Sequence, residues 1–164
     1  MIKKKIKIRR EVVRCDICKK PKDFLYLSDF VYGQKLIYFD NNINPAFINL
    51  LEDEVFLEYV DMVKNVLNEH NISCSFDDIN TFIDKTFGVT CDTMYEMRVD
   101  FSVGQKRCLH CGSTKFERNM IEPEKIIETE LPVVSHEEWK KLDYSQKECI
   151  ILDVLKKEEI VEYV

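Results

Sequence analysis

The chain has 164 residues, 45% of them hydrophobic, with only 4 Gly and 4 Pro. That is enough apolar material for one folded domain, or one domain carrying a sizeable insertion, and it argues against a disordered or linker-dominated protein. The formal net charge of −6 is unevenly spread: residues 1–22 carry 10 basic and 2 acidic side chains, residues 23–106 carry 5 and 15, and residues 107–164 carry 9 and 13.

No apolar run approaches the ~20 residues of a membrane span, and the charged start MIKKKIKIRR is not followed by the apolar stretch of a secretory signal. Seven cysteines is an odd number, and a secreted disulfide scaffold of this size would more often be even and denser. The expectation is an intracellular, cytoplasmic protein whose thiols are held by metal or stay reduced.

In chain order, residues 2–14 alternate around Ile6 and Ile8 and read as a strand that runs into the CDIC of residues 15–18. Residues 24–39 are aromatic-rich and strand-like, with Gly33 as a turn. From Pro45 to about Glu69 the period becomes helical, with Phe56, Val60, Val63 and Leu67 on one face and a break expected near Asp53. Ser75 and Asp78 cap a further helix that stops at Gly88. Residues 94–103 alternate again and predict a strand leading into Cys108, and residues 125–134 predict another. SHEE at 135–138 and SQKE at 145–148 match the capping box and predict two short C-terminal helices.

The chemistry sits in two C-x-x-C pairs, Cys15 with Cys18 and Cys108 with Cys111. Two residues between the cysteines let a tight turn aim both sulfurs at one ion, and four thiolates suit tetrahedral Zn²⁺. Gly112 follows the second pair where a positive φ is often needed. RCDICKK and RCLHCGS resemble the knuckles of the zinc-ribbon group. That resemblance covers the knuckles and their flanking strands only. It implies one structural zinc held by Cys15, Cys18, Cys108 and Cys111, on a small antiparallel sheet built from residues 5–25 and 95–130.

The departure from the family is the 89 residues between the knuckles. Loop closure grows only logarithmically, so this length instead of about 15 residues costs roughly 1.6 kcal/mol more. A structural zinc supplies on the order of 10–16 kcal/mol, so a folded insert is tolerable. The competing arrangements are a metal shared between two chains, ordinary buried thiols, and a redox pair, which would want a βαβ setting that neither pair has. Cys74, Cys91 and Cys149 read as core residues, with a second metal on His70, Cys74 and Cys91 as a lesser alternative. His110 lies inside a knuckle, and His136 is expected at the surface.

The expected architecture is therefore α+β: a zinc-ribbon sheet from 1–22 with 95–130, an acidic and largely helical insertion at 23–94, and a helical segment at 131–164. No GxSxG, HExxH, P-loop or GxGxxG occurs, and a closed four-thiolate zinc has no open position for water, so an enzyme with an active site in the insert is the weakest reading. The acidic insert favours an adaptor or regulator, of the small phage type for example, that docks on a protein complex of nucleic-acid processing. The alternative is direct nucleic-acid binding through Lys3, Lys4, Lys5, Lys7, Arg9, Arg10, Arg14, Lys19 and Lys20, set against the plainer view of a lysine-rich strand guarding a sheet edge. No membrane and no small-molecule substrate is expected.

Overall fold

The computed structural model describes residues 1–39 and 44–158. The fold is α+β, with antiparallel pairing in the main sheet and four α-helices among the described residues. The chain divides into two compact units, residues 1–48 with 103–133 and residues 49–102 with 134–164.

The first unit is built around one long strand, β1 (Lys3–Cys15). It pairs antiparallel with β2 (Pro21–Leu27) from Ile8↔Leu27 to Arg14↔Pro21. Next in the chain, β3 (Gln34–Ile37) and β4 (Ala46–Asn49) form a separate two-stranded sheet. On its other side β1 meets β5 (Phe116–Met120) near its C-terminal end and β6 (Lys125–Pro132) along its first half. β1 is paired on both sides between Ile8 and Arg10, while its lysine-rich start, Lys3–Lys7, is in register with β6 alone.

The alternation read from the sequence decides which face is dry. Ile6 and Ile8 are buried with Phe47 and Leu131, and Leu25, Leu27, Leu36 and Val133 pack around them. The intervening Lys3, Lys5 and Lys7 stay exposed. Gly33 (φ 83°) turns the chain between β2 and β3 as expected. The helix expected from Pro45 does not form there: residues 46–49 are strand β4, and the helix begins only after Asp53.

In the second unit, α1 (Glu54–Glu69) starts at Asp53, whose side chain accepts the Phe56 N–H. Its buried stripe is Val55, Tyr59, Met62, Val63, Val66 and Leu67, so it lies one residue N-terminal of the Phe56–Val60 register for half its length. α2 (Phe76–Thr86) carries the full Ser75–Asp78 capping box, followed by a 3₁₀ turn at Phe87–Thr90. α1 packs against α2 and α4 (Tyr144–Lys157).

Three expectations fail here. Residues 94–103 form no strand; Met94 and Met97 make an isolated two-bond bridge whose corner residues, Tyr95 and Glu96, both have positive φ. The four-residue α3 (Glu137–Lys140) has no side-chain cap of its own, because Asp92 accepts from the Glu137 and Glu138 N–H groups and from Ser135 Oγ. α4 is capped by Asp143 with Gln146, two residues before the serine of SQKE.

Candidate metal centre

The two knuckles are built alike. In the first, the Cys15 N–H bonds Lys20 O at 2.9 Å and the Lys19 N–H bonds Cys15 O at 3.0 Å; in the second, the Cys108 N–H bonds Ser113 O and the Gly112 N–H bonds Cys108 O, both at 2.8 Å. The residue after the second cysteine is left-handed in both turns, Lys19 at φ 58° and Gly112 at φ 72°. Strand pairing then joins them: Cys15 lies opposite Phe116 across β1 and β5, and the Asp16 N–H bonds Lys115 O at 2.9 Å. A register irregularity between Val13 and Cys15 accompanies the step that leaves Cys15 fully buried.

These elements bring all four sulfurs of Cys15, Cys18, Cys108 and Cys111 within 4.8 Å of one another. Two sulfur pairs run between the knuckles at 3.5 Å, Cys15 to Cys111 and Cys18 to Cys108. A tetrahedral ion with bonds of about 2.3 Å needs sulfur–sulfur edges of about 3.8 Å, so the cluster has the size to hold one metal ion. The sulfurs are far from the ~2.05 Å of a disulfide, and all seven cysteines are free thiols.

The electrostatics favour a cation at the same point. The His110 and Cys111 N–H groups pull the Cys108 thiol down to about 6. The Cys15 thiol is also lowered, chiefly by the Cys18 N–H. At Cys111 the Ser113 N–H acts in the same direction, but burial and the three neighbouring sulfurs outweigh it and push the thiol up to about 11. Backbone N–H groups in each knuckle thus favour the thiolate form of one cysteine, and the crowding of four sulfurs opposes ionisation of Cys111 until a positive ion compensates it.

Among the described residues this is the one gathering of metal-ligand side chains. His70 ends α1 as its C-cap, and no cluster forms with Cys74 and Cys91. Cys149 is exposed and Cys74 and Cys91 are half-buried, so none of the three is a fully buried core residue. His136, expected at the surface, is 4% exposed: its Nε2 lies 3.1 Å from Asp53 Oδ2 and its Nδ1 2.9 Å from Thr90 O.

Three cations of the basic arm, Arg9, Arg10 and Lys19, are ion-paired, and two of its lysines stand opposite acids in the strand register. Lys5 pairs in register with Glu130 and Lys7 with Glu128. Arg10 makes two bonds to Asp23, at 2.7 and 3.0 Å, with Glu122 at 3.6 Å. Arg9 lies 3.1 Å from Glu11 and over the Tyr26 ring, and Lys4 lies over Phe47. Lys19 bridges Asp16 and Glu117, each at 3.1 Å. Lys3, Arg14 and Lys20 are exposed, and Lys20 reaches across the centre to His110 Nδ1 at 3.5 Å.

The cations missed from the sequence belong to the second knuckle: Lys106, Arg107, Lys115 and Arg118, all exposed. The signal was a short window, because residues 106–118 hold these four and a single acid, Glu117, while the longer count over 107–164 averages to net acidic. By unit, the cysteine half carries 16 basic and 10 acidic side chains, net +6, and the helical half 8 and 20, net −12. No described helix is long and apolar enough to cross a membrane. No family model, curated protein or solved structure matches the chain.

Proposed function

We propose that the chain binds one structural Zn²⁺ through Cys15, Cys18, Cys108 and Cys111 and works as a non-enzymatic adaptor or regulator in the cytoplasm, docking on a protein complex of nucleic-acid processing. The observation that carries the reading is the closed four-sulfur cluster set in a cationic unit, joined in one chain to a unit of net −12. Sulfur is the ligand set for zinc among the common divalent ions, and four thiolates leave the metal no open position for substrate or water. The zinc would be held as a folding element, contributing stability and no catalytic step. A strongly acidic helical surface suits a basic protein partner. The test is cross-linking mass spectrometry of the full zinc-loaded chain in its native extract, against a variant with Asp61, Asp77, Asp78 and Asp84 changed to Asn. The reading expects one basic partner, lost in the variant; cross-links unchanged by the substitutions would overturn the docking surface.

Direct nucleic-acid binding is the second reading, favoured by one specific observation: the positive charge of the chain is concentrated in the unit that carries the cysteines.

A further inference from the structure

We propose that the metal end of the cysteine unit, rather than the N-terminal arm, is a binding surface for the phosphate backbone of a single-stranded nucleic acid. The inference rests on the direct nucleic-acid reading and gives it a location.

Residues 14–20 and 106–118 together hold seven cations and two carboxylates. Both carboxylates, Asp16 and Glu117, are already bridged by Lys19. The other six cations, Arg14, Lys20, Lys106, Arg107, Lys115 and Arg118, are exposed. Among the described residues no carboxylate stands within ion-pair distance of any of them. Zinc with four thiolates carries a net charge of about −2, so an excess of about +3 survives at this end. Along Lys3–Arg10, by contrast, Arg9 and Arg10 are ion-paired with Glu11 and Asp23, and Lys5 and Lys7 stand opposite Glu130 and Glu128 in the strand register.

The geometry brings together what the sequence separates. The Asp16–Lys115 backbone bond and the Lys20–His110 contact put the two cationic segments on either side of one centre. Beside them lies a cleft of about 270 Å³ whose lining includes Lys22, Asp23, Tyr38, Asn44, Arg107 and Leu109. Its walls carry an aromatic ring, a side-chain amide and the Arg107 cation, groups that take a nucleotide whose base is not stacked in a duplex; its Asp23 carboxylate is held by Arg10. A single strand satisfies both features at once, phosphates on the cations and a splayed base in the cleft. An acidic peptide would use only the first.

The test is fluorescence anisotropy of a labelled oligothymidylate with full-length, zinc-loaded protein over a salt series. Two triple variants are compared: Lys20→Gln/Arg107→Gln/Lys115→Gln, and Lys3→Gln/Lys5→Gln/Lys7→Gln. Zinc stoichiometry of each variant verifies that the centre is intact. Six phosphate contacts give a slope of log K against log salt of about −4 for single strands. The metal-end variant is expected to flatten that slope by about 2 and to bind at least about tenfold more weakly at low salt, with the arm variant within about twofold of the parent. Loss of binding in the arm variant alone would overturn the location while leaving the nucleic-acid reading standing. No binding by the parent at low salt would overturn both. Equal competition by polyglutamate would replace the nucleic acid by a protein partner and overturn the proposal.

Discussion

At the scale of single residues, two glycines separate conformational from steric demand. Gly112 closes the second knuckle at φ 72°, and a methyl placed there would meet nothing within 4 Å. Gly112→Ala should therefore cost only the left-handed backbone preference, about 1 kcal/mol, read as a shift in the unfolding midpoint. Lys19 occupies the same position in the first knuckle without being glycine, which shows that the turn tolerates a side chain. Gly88 is the opposite case: its Cβ would strike the Val99 carbonyl, a backbone atom with no rotamer to yield. Gly88→Ala is expected to cost 2 kcal/mol or more, on the order of the overpacking penalty. Asp53 supplies a pH dependence. Burial alone would raise its carboxyl, but the bond from His136 and the Phe56 N–H outweigh it and hold it below the usual carboxylate value. A lowered folded-state value means stability that is present above the ordinary carboxylate pKa and is lost as pH falls through the folded one. His136→Ala should thus destabilise the protein at neutral pH and flatten its acid-unfolding profile in the range where Asp53 titrates, measured by denaturant melts over a pH series.

At the scale of elements, side chains from remote segments replace local signals. Gln105 pairs with the outer edge of β2, its Oε1 accepting the Leu25 N–H and its Nε2 donating to Leu25 O, both at 2.6 Å. The Tyr38 hydroxyl donates a second bond to that carbonyl at 2.8 Å. Gln105→Ala should leave the Leu25 N–H without its partner and cost about 1–2 kcal/mol, with faster hydrogen exchange at Leu25 than at Phe24. In the helical unit, Glu58 on α1 accepts from Trp139 Nε1 at 3.0 Å and from the buried Lys147 at 2.7 Å, tying α1 to α3 and α4.

The same distinction explains what was legible in the sequence. Elements specified by contiguous signals were readable: the Ile6–Ile8 alternation, the Ser75–Asp78 box, the Gly33 turn and both C-x-x-C knuckles. Elements specified from a distance were not. Asp92 caps α3 from 45 residues away, so SHEE looked like a capping box it does not form. His136 is drawn inside by Asp53 and Thr90, which no local pattern announces. Strand β4 precedes the helix because Phe47 is needed in the sheet's core, a tertiary demand that overrode the helical period after Pro45.

At the scale of the whole molecule, residues 49–102 of the connection between the knuckles share a compact unit with residues 134–164. Metal bound at the four sulfurs should therefore stabilise the cysteine unit by more than the helical unit, which is built on its own core of Tyr59, Phe87, Trp139, Ile151 and Leu155. Chelation is expected to leave most of the far-ultraviolet helical signal while lowering the first thermal transition. Cys108→Ser should do the same without chelator, because a missing thiolate removes most of the zinc affinity.

Metal content by native mass spectrometry of freshly purified full-length protein tests the central claim most directly. The account predicts one zinc per chain, present in the monomer and absent in Cys108→Ser. Folded protein with both cysteine pairs reduced and no metal bound, or zinc found only in a dimer, would contradict it.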